Sequence, residues 1–117
     1  MRKTYRYRDL SYPVEDSTEV FLTVTYISDG NLGKTLVYQP HLGNPEIENS
    51  GTVSIGTGAQ LRGRITICLT EIANLNPNED EISLSFSLND TPLVAHHNDK
   101  SEENNPTIVL FIRFPKP

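Results

Sequence analysis

Residues 82–88 read Ile82-Ser83-Leu84-Ser85-Phe86-Ser87-Leu88, and this stretch decides the fold class. Large apolar residues occupy every second position, and serines occupy the positions between them. Successive side chains of a β-strand point to opposite faces, so the pattern predicts a strand with one apolar face and one wet face. Such a strand is typical of an antiparallel sheet that packs one face on a core.

The same alternation recurs along the chain. Residues 64–70 predict a strand in which Ile65, Ile67 and Leu69 point inward and Cys68 lies on the polar face. Residues 20–27 are apolar on both faces, which favours a central strand. Residues 107–114 form the most hydrophobic run, with Ile108, Leu110, Ile112 and Phe114 on one face. Shorter strands are predicted at residues 4–8, 35–39, 52–55 and 93–96.

Turn residues separate these strands. Residues 89–92 read Asn-Asp-Thr-Pro and join two apolar stretches, which predicts a β-hairpin of residues 84–88 with residues 93–96. Eight short strands at spacings near ten residues indicate an all-β fold. We expect a two-layer antiparallel β-sandwich of seven to eight strands, with Ig-like or jelly-roll topology. The length of 117 residues predicts one domain over residues 1–117.

The charge is acidic overall and unevenly distributed. Fifteen acidic and ten basic residues give a formal net charge of −5, which disfavours nucleic-acid binding. Six of the ten basic residues lie near the two ends: Arg2, Lys3, Arg6, Arg8, Arg113 and Lys116. Acidic residues cluster around positions 79–81 and 99–103. This distribution has two interpretations, ordinary solubilising charge or a head-to-tail contact surface between copies.

Cysteine content and the N-terminal residues bear on localisation. Cys68 is the single cysteine, which excludes an internal disulfide and fits a reducing compartment. No apolar segment follows the basic first residues, and no run of 18 apolar residues occurs. We therefore expect no signal peptide and no membrane span. The expected localisation is cytoplasmic at synthesis, with incorporation into a virion or phage-like particle as a further hypothesis.

The sequence contains no known catalytic signature. His-Glu-x-x-His, Gly-x-Ser-x-Gly, a phosphate-binding loop and Cys-x-x-Cys are all missing. The glycine-rich residues 56–63 precede a predicted strand, which favours an inter-strand connection over anion binding by Arg62 and Arg64. His96 and His97 are adjacent, so on a strand they point to opposite faces and do not share a metal ion. We expect no enzyme, no catalytic residue, no metal and no cofactor.

The first twelve residues are rich in tyrosine and arginine. Tyr5 and Tyr7 fall on one side of the first strand, and Arg6 and Arg8 fall on the other. Together with Tyr12 they resemble the composition of protein interfaces. This strand either pairs within its own sheet or lies along the edge of a neighbouring subunit. The leading hypothesis is a non-catalytic structural or protein-interaction module that self-associates as a homo-oligomer or as a subunit of a larger assembly.

The alternative hypothesis is a ligand-binding module for calcium, carbohydrate or a lipid headgroup. Calcium binds clusters of oxygen ligands in loops, and loops of a sandwich gather at its ends. The candidate loop residues are Asn76, Asn78, Glu79, Asp80, Asn89, Asp90 and Asp99. Asn76, Asn78 and Asp80 continue a series of Asn and Asp at every second position from Asn74, with Glu79 and Glu81 beside it. Because Asn and acidic residues also occupy ordinary solvated turns, the pattern has a structural interpretation as well.

Overall fold

In a computed structural model the described residues are 3–28, 30–39, 42–78 and 80–117, so Arg2 and Glu79 lie outside them. The described part of the chain forms nine strands and one short helix. The strands are β1 (Thr4–Ser11), β2 (Glu19–Tyr26), β3 (Asn31–Tyr38), β4 (Glu46–Glu48), β5 (Gly51–Thr57), β6 (Ile65–Asn74), β7 (Glu81–Leu88), β8 (Thr91–Asp99) and β9 (Thr107–Arg113). The helix α1 (Gly58–Leu61) lies between β5 and β6.

The strands form two sheets. The order in the five-stranded sheet is β1-β9-β6-β3-β4, and the order in the four-stranded sheet is β5-β2-β7-β8. Every pairing is antiparallel except that of β1 with β9, which is parallel. The two sheets confirm the predicted all-β sandwich. The strand that sequence patterning missed is β4, whose three residues include one apolar side chain, too few to show an alternation.

One cluster of buried apolar side chains fills the space between the sheets. The residues of β7 and β9 that were predicted to face inward do so, and each is at most 1% exposed: Ile82, Leu84, Phe86, Leu88, Ile108, Leu110 and Ile112. Burying a side chain of this size stabilises the fold by about 1.5–3 kcal/mol relative to leaving it in water. The two clearest sequence patterns therefore supply much of the core.

The predicted orientation of β6 was wrong. Thr66, Cys68, Thr70 and Ile72 face the core, whereas Ile65, Ile67 and Leu69 face outward. Directly opposite residues of paired strands share a face, and Cys68 lies opposite Val37 and Leu110, which are both buried. Cys68 is therefore a buried core residue, and burial raises the pKa of its thiol to about 12.

The hairpin of β7 with β8 is confirmed and is longer than predicted. Leu88 pairs with Thr91, so Asn89 and Asp90 form a two-residue turn with φ angles of 45° and 67°, as a type I′ turn requires. The register continues to Glu81 opposite Asp99. Residues 97–99, which lie beyond the predicted strand 93–96, are strand residues because β7 extends far enough to pair with them.

Residues 56–63 contain a helical turn as well as a connection. Thr57 caps α1, and Gln60 completes a capping box with it, a signal that the Thr-x-x-Gln spacing carries in the sequence. The Arg62 guanidinium donates to the carbonyl oxygens of Phe114 and Val14, each at 2.8 Å. These bonds give Arg62 a structural role at the end of the sandwich. In the described part of the chain no helix has the length and apolar character that crossing a membrane would require.

Candidate functional site

The outer face of the five-stranded sheet has an apolar centre. We call it the apolar face and define it by seven side chains on its three central strands: Leu36 and Tyr38 of β3, Ile65, Ile67 and Leu69 of β6, and Val109 and Phe111 of β9. Tyr38 and Ile65 are each 41% exposed, the central Ile67 and Leu69 are half-buried, and Val109 is 8% exposed. Exposed apolar side chains grouped on one surface mark interaction sites on soluble proteins.

Strand register arranges this face in rows. One row runs across all five strands and contains Arg6, Val109, Leu69, Leu36 and Glu46 in that order. With neighbouring strands about 4.8 Å apart, this row is about 19 Å long. Its three central members are aliphatic, its β1 end is cationic, and its β4 end is anionic.

A second row lies beside the first and contains Phe111, Ile67 and Tyr38. The Arg8 guanidinium carbon lies 4.8 Å from the centroid of the Phe111 ring, within the range of a cation–π contact. At the opposite edge, Lys34 Nζ lies 2.9 Å from Glu46 Oε1, and Glu48 follows on the same strand. The apolar face is thus bordered by arginines along β1 and by two carboxylates with one ammonium group along β4 and β3.

The strand β6 shows that this face is unusual. It buries the hydroxyl groups of Thr66 and Thr70 in the core and presents Ile67 and Leu69 outward. The buried hydroxyl of Thr70 requires a partner, and it lies 2.7 Å from Thr35 Oγ1. An antiparallel sheet with one solvated face normally has the opposite arrangement, with apolar residues inside and polar residues outside. The outward apolar residues therefore do not serve the core.

The residues predicted to form an interface divide between two surfaces. β1 pairs with β9 in its own sheet, and its alternation sends Arg6 and Arg8 to the outer face. Tyr5 and Tyr7 lie on the inner side, against His96 of β8. Tyr12 packs edge-on against Phe114, with 6.4 Å between the ring centroids. The two arginines border the apolar face, and the three tyrosines support the interior.

The tyrosines belong to a hydrogen-bonded cluster where the edges of the two sheets meet. The Tyr7 hydroxyl lies 2.6 Å from His96 Nδ1, and His96 Nε2 lies 2.7 Å from Asn98 Oδ1. Asn98 Nδ2 donates to the carbonyl oxygens of residues 99 and 103, which leaves Asn98 Oδ1 as an acceptor. His96 therefore donates through Nε2 and accepts at Nδ1, the arrangement of a neutral imidazole. Burial lowers the pKa of His96, which favours the same neutral form.

An ionic contact joins the N-terminal strand to the acidic loop before β9. Tyr5 donates from its hydroxyl to Glu102, and Lys3 Nζ lies 3.0 Å from Glu102 Oε2. The hydrogen bond from Tyr5, followed by that from Lys3, holds the pKa of Glu102 below its ordinary value. Part of the predicted separation between basic ends and acidic loops is thus used within the molecule.

The candidate calcium residues lie in two separate places. Asn89 and Asp90 form the turn at one end of the β7–β8 hairpin, whereas Asp80 and Asp99 lie at the other end. Seven residues of strand separate these ends, which is about 23 Å. The side chains of Asn74 and Asn76 each accept from the backbone N–H two residues later, at 3.1 and 3.0 Å. The spacing of every second residue therefore reflects successive Asx turns.

A small polar cluster that sequence reasoning did not identify lies at the Asp99 end of the hairpin. One ligand atom from each of Glu81, His97 and Asp99 lies within 4.8 Å of the other two, and all three residues are exposed. His97 Nε2 is 3.0 Å from Glu81 Oε2. The hairpin register alone brings Glu81 opposite Asp99, with His97 two positions away on the same face. The predicted hairpin stopped short of these residues, so the sequence could have revealed the cluster only if the pairing had been extended to Glu81 and Asp99.

Two open depressions have volumes of about 540 and 730 Å³. The first is lined by polar and apolar side chains, and in it the Ser54 hydroxyl donates a hydrogen bond to the Glu19 carboxylate. The second is lined by residues that include Asp80, Glu81, Asp99 and Lys100. The described residues lining the two depressions include neither a histidine nor a cysteine. Ser54 and Glu19 are exposed and lie on the paired strands β5 and β2, so an ordinary cross-strand hydrogen bond accounts for their contact, and the apolar face is the stronger candidate.

Searches of protein-family models, of curated proteins and of solved structures found no match to this chain. The functional interpretation therefore rests on the residues of this chain, and these point to the apolar face as the candidate functional site.

Proposed function

We propose that this protein is a non-catalytic structural or protein-interaction module and that the apolar face is its contact surface. On this proposal it is a subunit of a homo-oligomer or of a larger assembly such as a virion, a phage-like particle or a filament. The observation that carries the proposal is the inverted patterning of β6, which presents Ile65, Ile67 and Leu69 outward. Covering these side chains with a second protein surface would remove them from water.

The dimensions of the five-stranded sheet bear on the proposal. Four strand spacings of about 4.8 Å and about seven residues per strand at 3.3 Å give an outer face of roughly 19 by 23 Å. Its projected area is then roughly 440 Å², and the apolar face occupies its centre. Stable interfaces bury about 800 Å² of accessible surface on each partner, so a stable contact would use the whole outer face of the sheet, charged rim included. Its composition of apolar residues with a charged rim also fits the usual anatomy of an interface.

Site-specific photocrosslinking tests the proposal. A benzoylphenylalanine is introduced at position 69, in the centre of the apolar face, and in a matched control at position 85, on the outer face of the other sheet. Illumination of cells that produce the protein is expected to give covalent adducts of discrete mass from position 69 and none from position 85. The absence of adducts from position 69, or the same adducts from both positions, would overturn the proposal.

A second candidate function, the ligand-binding module, has one observation in its favour, the cluster of Glu81, His97 and Asp99. A cation bound only by the folded state raises Tm by mass action. Thermal unfolding with millimolar calcium or zinc, compared with the His97→Ala variant, distinguishes the outcomes. A rise in Tm that the variant abolishes would support cation binding at this cluster, and an unchanged Tm would remove it.

A further inference from the structure

The charged ends of the central row identify an occupant for the apolar face. Arg6 and Glu46 lie in one row, and each is two strands away from Leu69 on the central strand β6. At about 4.8 Å per strand, each charge is about 10 Å from the middle of the row. The row therefore has an apolar centre, a cation at one end and an anion at the same distance on the other side.

This arrangement is complementary to itself. Consider a twofold axis that is parallel to the strands and lies between two stacked faces at Leu69. Rotation about this axis exchanges the two ends of the row, so Arg6 of one copy lies over Glu46 of the second copy, and the reverse contact forms at the other end. A twofold axis perpendicular to the strands would instead place Arg6 over Arg6. The charges of this row thus favour the axis parallel to the strands. Glu71, the next outward residue of β6, lies on that axis and would face its own copy, so the contact is centred on the rows of Leu69 and Ile67.

The apolar residues follow the same symmetry. Rotation places Leu69 over Leu69 and Val109 over Leu36 of the second copy. In the neighbouring row it places Phe111 over Tyr38. An isologous dimer requires one surface that satisfies both roles, and here each aliphatic or aromatic side chain meets another. Two sheets packed face to face lie about 10 Å apart with mean strand directions within about 30° of each other, and an axis parallel to β6 keeps the two β6 strands aligned.

We infer that the partner of the apolar face is a second copy of this chain, in a dimer whose twofold axis is parallel to β6. This inference rests on the proposed function of that face. The contact of Arg6 with Glu46 of the second copy occurs twice in that dimer. Glu46 already lies 2.9 Å from Lys34, and Glu48 adds a second carboxylate, so this edge keeps a negative balance that an arginine complements.

Charge exchange tests the inference. Sedimentation of the full chain is expected to show a dimer, and Arg6→Glu and Glu46→Arg are each expected to weaken it about tenfold or more because each places like charges together twice. Both substituted side chains are exposed, so both variants should keep the native circular dichroism spectrum. Mixing the two variants is expected to restore association as a mixed dimer, since both contacts then join opposite charges.

Other outcomes separate this inference from the proposed function. A wild-type chain that stays monomeric at about 500 μM overturns the inference, because this concentration is well above the Kd of ordinary dimers. Photocrosslinks from position 69 to a different protein would then still support the proposed contact surface. If both single variants associate more weakly and mixing them does not restore association, the twofold axis parallel to β6 is wrong. Leu69→Asp should abolish the dimer, whereas the matched control Ser85→Asp should keep it. A folded Leu69→Asp chain that still dimerises overturns both the inferred partner and the proposed contact surface.

Discussion

The outer faces of the two sheets differ although their strands alternate in the same way. The four-stranded sheet presents mainly hydroxyl groups, from Thr23 and Thr25 of β2 and from Ser83, Ser85 and Ser87 of β7, together with one apolar side chain, Phe21, which is 43% exposed. Thr23 Oγ1 lies 2.9 Å from Thr52 Oγ1 of the neighbouring strand. The five-stranded sheet presents the side chains of the apolar face. Water can satisfy the first face, whereas the second gains free energy when another surface covers it.

The comparison also separates two uses of a strand. In β7 the apolar residues pack in the core and the serines are solvated, so the large side chains of this strand serve only the core. In β6 the inward residues are small, and the larger Ile67 and Leu69 are available for contact. The four predictions below test this difference between the sheets, beginning with the largest expected effect.

The largest effect is expected in the core of the four-stranded sheet. Phe86→Ala removes a fully buried ring and should lower the free energy of unfolding by about 3–5 kcal/mol. Ser85→Ala, on the wet face of the same strand, should change it by less than about 0.5 kcal/mol. Urea unfolding at constant pH measures both values. Equal losses would show that β7 does not divide its faces as described.

Within the five-stranded sheet the buried hydroxyl pair is a sensitive position. Thr70→Val leaves the Thr35 hydroxyl without its partner at 2.7 Å and should cost about 1–3 kcal/mol. Replacing both residues with valine removes both hydroxyls and should recover most of that loss, since no polar group is then left unsatisfied. A double-mutant cycle by urea unfolding measures the coupling. Additive losses would contradict the pairing of the two hydroxyls.

The edge where the sheets meet should make stability depend on pH. The pKa of His96 is lower in the folded state than its ordinary value of about 6.5, because the ring is buried. The unfolded chain therefore binds more protons, and stability present above pH 6.5 is lost as pH falls toward the folded-state pKa. For one proton the slope is at most about 1.4 kcal/mol per pH unit.

Urea unfolding between pH 7.5 and about 5.5 measures this dependence in a range above the usual titration of carboxylates. His96→Gln should flatten the profile. His97→Gln, on the exposed side of the same strand, is the matched control and should keep most of the pH dependence, because burial lowers the pKa of His96 more than the nearby charge of His97 does. A flat wild-type profile would contradict the burial of the His96 ring.

The smallest effect is expected at the exposed cluster beside the four-stranded sheet. The side chains of His97 and Glu81 are 54% and 58% exposed, so solvent screens their ion pair. Glu81→Gln should change the free energy of unfolding by less than about 1 kcal/mol. Thermal unfolding of both proteins in the same buffer measures the difference. A larger loss would indicate that this cluster has a structural role at the sheet edge.

The accuracy of sequence reasoning differed between strands for a physical reason. In β7 and β9 only one face carries large apolar side chains, so one orientation is much more stable and the alternation identifies it. In β6 both orientations bury plausible residues, and the expectation for Ile65, Ile67 and Leu69 was wrong. The candidate site was found only in part: Arg6 and Arg8 were identified, whereas Ile65, Ile67 and Leu69 of the central strand were assigned to the core.

The amino-acid sequence by itself determined eight of the nine strands in the described part of the chain, the inward residues of β7 and the tight turn at Asn89 and Asp90, because these depend on neighbours within a few positions. The tertiary structure alone decided that Arg6, Leu69 and Glu46 share one row. These residues lie far apart along the chain, and only the pairing of β1 with β9, β9 with β6, β6 with β3 and β3 with β4 brings them together. Local alternation constrains which way a side chain points relative to its neighbours, and long-range pairing decides which face becomes the core.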